Sequence, residues 1–178
     1  MANRLFKIIT KEEFEKILKA VSTTKVVKQK YKNQFRVAII LGFEAGLRIS
    51  EIVGHKDTVP PLQLENVAEN YLRIVSGKGG KDRIVPRPRR LNQSSLRYIP
   101  VKIPRRSLQR WITKMGREVL KKEITFHTLR HGFVTNCINR GMALHEVQMF
   151  AGHSRLDTTG IYLHANPEQA LKKYEEVF

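Results

Sequence analysis

The sequence holds a single cysteine, Cys137, among 178 residues. One thiol excludes an internal disulfide framework and any cysteine-rich zinc site. No apolar run approaches the roughly 20 residues that a membrane-spanning helix needs, and the N-terminus lacks the apolar stretch of a signal peptide. There is no internal repeat, no low-complexity tract and no flexible linker, which favours one unit over several. Acidic residues are scarce: 16 Asp and Glu stand against 33 Lys and Arg, for a formal net charge of +17. A compact protein tolerates such self-repulsion when a polyanion neutralises it, so nucleic acid is the first partner to expect and a membrane is not.

What is present suits one helix-rich domain. With 41% hydrophobic residues, the chain is long enough to bury one core and short for two. Thr10 followed by Glu13 is a capping-box signature, and Phe14, Ile17, Leu18 and Val21 continue it with helical spacing. Gln34 to Ala45 reads as a largely buried helix, reached through a basic connector from Lys25 to Asn33. Gly46 breaks it, and a short third helix begins at Arg48 and stops at Gly54. Tyr71 to Val75 and Asp82 to Val85 alternate and are β-branched. They flank Gly77-Lys78-Gly79-Gly80, so this stretch predicts a hairpin with a lysine at its tip.

Pro86 to Arg106 reads as a basic surface excursion with a short strand near Leu96 to Val101. From Pro104 the pattern is helical again, through Leu108, Trp111, Ile112, Met115 and Leu120. Further helices are expected over Phe126 to Arg140, Leu144 to Phe150, Thr158 to His164, and Pro167 to Val177 behind Asn166. Cys137 follows Leu129 and Phe133 at four-residue steps, which predicts a small buried side chain rather than a reactive thiol. The expected fold class is α+β, mainly helical, with a small antiparallel sheet.

His127 and Arg130 lie three apart on one predicted helix. The spacing predicts a shared face, with Leu129 and Phe133 turned to the core. Alone, such a pair in so basic a protein is an ordinary solvated face. Other short motifs accompany it: Gly46-Leu47-Arg48-Ile49-Ser50-Glu51, the Gly77-Lys78-Gly79 turn, His127-Thr128-Leu129-Arg130-His131, and Gly152-His153 followed by Thr158-Thr159 and Tyr162. In this order the set resembles the tyrosine recombinase and phage integrase family, Xer-like members included, over nearly the whole chain.

The resemblance implies the family's catalytic-domain fold and its chemistry. By similarity, Arg48, Arg130 and His153 hold the scissile phosphate, His127 assists proton transfer, Lys78 protonates the leaving oxygen, and Tyr162 attacks. Glu51 would orient Arg48 from behind, and His131 supports the site beside Arg130. Lys81 and Lys56 are alternatives to Lys78. It further implies cleavage and rejoining of double-stranded DNA through a covalent 3′-phosphotyrosine, without cofactor or metal. The setting is cytoplasmic and nucleoid-associated, on a chromosome or on a virus, plasmid or other mobile element. Homo-oligomers, tetramers on DNA, would form through the C-terminal helix, whose stripe is Ala170, Leu171, Tyr174 and Val177. The whole of 1–178 then reads as a single catalytic domain, without the family's N-terminal DNA-binding domain.

The residue types suit that reaction on physical grounds. A phosphodiester gathers charge on its oxygens in the transition state, and planar guanidinium groups match them in pairs where an ammonium does not. Tyrosine, with an ordinary pKa of about 10, needs nearby cations or a base to become a nucleophile. An expelled alkoxide needs a proton, which a lysine on a turn can deliver. The sequence lacks the tight carboxylate cluster of two-metal nucleases. Two other readings fit part of the pattern: a type IB topoisomerase-like enzyme that nicks and reseals, and a non-catalytic DNA-binding module.

Overall fold

The computed structural model describes residues 8–56, 58–75, 82–152, 171 and 174–175. Helix α1 (Lys11–Ala20) starts at the expected capping box: the Glu13 N–H donates to Thr10 Oγ1 and the Thr10 N–H to Glu13 Oε2, both at 3.2 Å. Its apolar stripe of Phe14, Ile17 and Leu18 is buried, and Phe14 stacks on Phe43 with ring centroids 4.1 Å apart. Phe43 belongs to α2 (Lys32–Glu44), which is buried continuously from Val37 onward and forms the centre of the molecule. A 3₁₀ turn, Gln29–Tyr31, occupies part of the basic connector and leads into α2.

The chain leaves α2 through Gly46, at φ 64°, where an added Cβ would lie 2.5 Å from the Phe133 ring. That turn aims Arg48 at the start of α3 (Ile49–Val53). Strands β1 (Tyr71–Ile74) and β2 (Arg83–Pro86) pair antiparallel, with Leu72 opposite Val85 and Ile74 opposite Arg83. The glycine-rich turn expected between them lies outside the described residues.

The strand expected near residues 96–101 does not form. Helix α4 (Gln93–Leu96) stands at its beginning, capped by Asn92, whose side-chain oxygen accepts from the Ser95 N–H at 3.1 Å. Ile99, Val101 and Ile103 follow, all buried, so this stretch is no surface excursion either. Their alternation reflects an extended segment laid on the core, where Pro100 and Pro104 lack the N–H groups that strand pairing needs.

Helix α5 (Arg105–Met115) buries Leu108, Trp111, Ile112 and Met115, with Trp111 edge-on to Phe35. It passes into a π-helical turn, Gly116–Leu120. Helix α6 (Phe126–Asn139) packs along α2, with Phe126 and Leu129 against Gly42. Helix α7 (Leu144–Ala151) packs on α6 and on β2. One continuous core joins these elements. Cys137 is fully buried in it, and burial pushes its thiol up to about 12.

Helices expected over Thr158 to His164 and Pro167 to Val177 fall largely outside the described residues. Within the second, Leu171 and Tyr174 are described; both are buried on the chain's own core, and the Tyr174 hydroxyl donates to the Glu44 carbonyl at 2.6 Å. No helix among the described residues is long and apolar enough to cross a membrane.

Candidate active site

The site forms where the Gly46 turn, the start of α3, strand β2, helix α6 and the end of α7 meet. Helix α3 begins with a carboxylate clasp. The Arg48 N–H donates to Glu51 Oε2 at 2.8 Å and its Nη1 to Oε1 at 2.9 Å. Glu51, third in the helix, thereby satisfies a backbone donor that has no partner inside the helix and holds the Arg48 side chain over it.

Arg83 meets the same carboxylate from β2. Its Nη1 and Nη2 donate to Glu51 Oε1 and Oε2 at 2.8 and 2.9 Å, a two-bond fork, while its Nε donates to the Phe150 carbonyl at 2.8 Å. Arg130 arrives from α6. Its Nη1 donates to the Gly46 carbonyl at 2.7 Å and its Nη2 to the Ala151 carbonyl. Arg48 Nη2 donates to the Gly152 carbonyl at 2.6 Å.

Three consecutive carbonyls, those of Phe150, Ala151 and Gly152, thus each receive a different guanidinium. The last carbonyls of a helix have no partner of their own and carry the negative end of its dipole, so this is where cations are held best. Gly152 ends α7 at φ 58°, and an added Cβ would meet the Arg83 side chain at 3.0 Å. A glycine therefore serves both the backbone turn and the close approach of the guanidinium.

The electrostatics follow. Burial alone would push the Glu51 carboxyl up; the Arg83 guanidinium, then the N–H and charge of Arg48, outweigh it and hold Glu51 below the usual carboxylate range. Burial, with Arg48 close by, lowers Arg130 to about 9, so it remains charged at neutral pH. Three guanidiniums around one carboxylate leave a surplus of positive charge, ready for an anion.

His127 is exposed on α6, and its Nε2 lies 2.8 Å from Nε2 of His131, with the rings edge to face. Such a bond requires one Nε2 to carry a proton and the other to accept it. Burial, then Arg130 and Arg48, lower the His127 pKa; burial, His127 and Arg130 lower that of His131. Both histidines are therefore mostly neutral at pH 7.

Of the residues singled out from sequence, Arg48, Glu51 and Arg130 come together, and His127 and His131 sit on the same helix as Arg130, within its field. Lys78, His153 and Tyr162 lie outside the described residues. Helical spacing predicts a shared face for His127 and Arg130, with an ordinary solvated face as the plainer alternative; the two differ in exposure, His127 being exposed and Arg130 buried. Arg130 is 3% exposed and turned inward to two carbonyls, because α6 is buried on more than one side. Sequence reasoning passed over Arg83, which lies among many cations. The available signal was strand periodicity, since Arg83 is two residues before the buried Val85 and so shares its inward face. Among the described residues no group of three or more His, Cys, Asp or Glu could hold a metal ion.

Comparison with known proteins gives a consistent picture. The profile of the phage integrase family matches residues 99–169. A tyrosine recombinase of Thermosipho africanus is 32% identical over 186 residues, covering 93% of this chain and 60% of that protein. The tyrosine recombinase XerA of Thermococcus kodakarensis is 29% identical over 188 residues, covering 96% of this chain and 62% of the relative. The chain thus spans about three fifths of the length of these two curated relatives.

Among solved structures, the XerH site-specific recombinase in its post-cleavage complex with a palindromic difH substrate superposes with a TM-score of 0.68 at 21% identity, over 97% of this chain and 53% of that one. A XerA recombinase gives 0.60 at 22% identity, over 95% and 64%. These structures share the fold: mainly helical, with a small antiparallel sheet.

Proposed function

We propose, since the chain belongs to the phage integrase family of tyrosine recombinases, that it cleaves and rejoins double-stranded DNA at specific sites through a covalent 3′-phosphotyrosine. The observation that carries this reading is the gathering of Arg48, Arg83 and Arg130 on the carbonyls of residues 150–152, directly before His153, with Glu51 held between two of them. The described residues from Ile9 to Tyr174 contribute to one core, which supports treating the chain as one catalytic unit.

In the proposed reaction, Arg48, Arg130 and His153 hold the scissile phosphate, Arg48 from its open side and Arg130 from the buried side, where its charge lies behind the anion. Arg48, 21% exposed at its side chain, has a face open to solvent for this. The Tyr162 hydroxyl attacks phosphorus and gives up its proton with the help of His127, which is neutral and able to accept it. His131, bonded to His127, supports its tautomer. As the P–O5′ bond breaks, Lys78 gives its proton to the departing 5′ oxygen. The bond energy is retained in the phosphotyrosine, so a 5′ hydroxyl from a second strand reverses the step and joins new partners. No cofactor or metal is invoked.

DNA is the proposed partner and the cytoplasm the proposed place of action. Binding is expected to weaken steeply with added salt, because it rests on phosphate contacts and counterion release. Assembly into a tetramer on DNA through the C-terminal helix is part of the proposal. It would require Leu171 and Tyr174 to leave the core they occupy here. Sedimentation on DNA of the full chain against a chain ending at His164 tests it: equal assembly removes the helix from the account.

The deciding experiment is incubation with a nicked suicide duplex, followed by denaturing gels of the wild type and Tyr162→Phe. The expected result is a protein–DNA adduct, formed in the presence of chelator and lost in the variant. A variant that still forms the adduct would remove Tyr162 as nucleophile; relaxation of supercoiled plasmid with no recombinants would favour a topoisomerase-like enzyme.

A further inference from the structure

We infer that Arg83 is a positioning residue for DNA cleavage, one that sets the direction of Arg48 through Glu51 and holds the end of α7 in place. The inference rests on the recombinase reading and adds to it a residue from β2.

Arg83 spends all three of its nitrogens inside the protein. Two bind both oxygens of one carboxylate and the third binds the Phe150 carbonyl. Its side chain is 10% exposed, against 21% for Arg48 on the other side of the same carboxylate. Arg83 is thus the backing group and Arg48 the one that reaches outward.

Glu51 could not take this role with Arg48 alone. Its carboxylate is almost fully buried, and a buried carboxylate with too little compensation takes up a proton. The hydrogen bonds and charge of Arg83 are the leading reasons it stays ionised. Without Arg83, Glu51 holds Arg48 more weakly, and the Arg48 guanidinium is left to its bond with the Gly152 carbonyl, on a turn that has itself lost support. At the same time the Phe150 carbonyl loses its donor. The turn at Gly152, which also packs against the Arg83 side chain, loses a wall just before His153.

The same residue ties three separate parts of the site together. It belongs to β2 and is bonded to the Arg48–Glu51 clasp and to the end of α7. Lysine cannot replace it, since one ammonium cannot occupy both carboxylate oxygens and a carbonyl in a single plane.

The test compares wild type, Arg83→Ala and Arg83→Lys for duplex affinity and for single-turnover cleavage of a nicked suicide duplex at saturating DNA. Loss of alignment far from the reacting atoms lowers the chemical step, so Arg83→Ala should cleave about tenfold or more slowly with its Kd within about threefold of wild type. Arg83→Lys should recover only part of the rate. Should Arg83→Ala fail to fold by circular dichroism, Arg83→Lys carries the comparison alone. Combining Arg83→Ala or Arg83→Lys with Glu51→Gln should cost no more in rate than the slower single variant, because both act through one clasp.

Adduct formation by the wild type together with an unchanged saturated rate in Arg83→Ala, or a wild-type rate in Arg83→Lys, overturns this inference and leaves the recombinase reading standing. A loss of affinity in proportion to rate overturns it too, making Arg83 a DNA contact. Absence of any adduct from the wild type overturns the recombinase reading and this inference with it.

Discussion

Glu44 and Glu51 are both buried carboxylates that touch arginine, yet they settle on opposite sides of the ordinary range. Glu44, at the end of α2, is pushed up to about 7 by burial. Its arginine, Arg90, makes one contact to it, Nε to Oε1 at 3.3 Å, and gives both terminal nitrogens to Glu15 at 3.0 and 2.6 Å. Glu51 has a fork from Arg83, a bond from Arg48 and a backbone N–H, and stays below the usual range. Burial is common to both; the number and geometry of the donors decide which one remains a carboxylate near neutrality. The fully compensated group lies in the candidate active site and the poorly compensated one lies away from it.

The largest expected effect comes from breaking the stronger of the two. Glu51→Gln leaves two guanidiniums around a neutral amide and should cost about 3 kcal/mol in urea unfolding at neutral pH, because removing one partner strands the other charges. A loss under about 1 kcal/mol would show that the clasp is not what organises this region.

Glu44→Gln should act in the other direction and depend on pH. A carboxyl whose folded pKa is raised from 4.5 to about 7 contributes stability that is fully present below the unfolded value and lost as pH rises through the folded one. The glutamine variant should therefore gain about 1–3 kcal/mol over wild type on the alkaline side, with no gain on the acid side. An advantage that does not vary with pH would mean that the Glu44 carboxyl is not titrating as described.

Glu51 predicts the reverse slope. Its lowered pKa gives stability that is present above the unfolded carboxylate value and lost as pH falls through the folded one. The gap between wild type and Glu51→Gln should then narrow in acid. A gap that widens there would contradict an ionised Glu51.

The smallest effect is on the rate profile. Burial, Arg130 and Arg48 keep His127 neutral below its ordinary 6.5. Cleavage at saturating DNA should hold as pH falls through 6.5 and decline only at lower pH, as His127 takes up its proton. An acid limb above 6.5 would remove the cationic neighbours from the account of His127.

Local signals in the sequence were legible where a short-range rule decides the structure. The Thr10–Glu13 box, the Gly46 break and the pairing of β1 with β2 all form as their residues direct. So does the Arg48–Glu51 clasp, three residues apart. Long-range partners were not legible. Arg83 meets a carboxylate 32 residues away and a carbonyl 67 away, and nothing nearby in the chain separates it from the other cations. The burial of Arg130 was not legible either, because helical spacing gives a shared face but not its exposure, and α6 is buried on more than one side around Arg130. The helix at Gln93–Leu96 follows a plain cap, Asn92 three residues before Ser95, which the surrounding Arg and Pro obscured.

The three carbonyls at residues 150–152 also set the order in which the arginine cluster can assemble. Arg48 finds its backbone acceptor 104 residues further along, and Arg130 needs both Gly46, 84 residues back, and Ala151, 21 ahead. During synthesis the N-terminal helices emerge first and can pack, but these arginines cannot be fixed until the end of α7 has left the ribosome. Until then the chain carries these cations without the contacts that gather them. A cluster joined by contacts this long is therefore completed only once residues 46–152 are all present, whatever local order the helices reach before then.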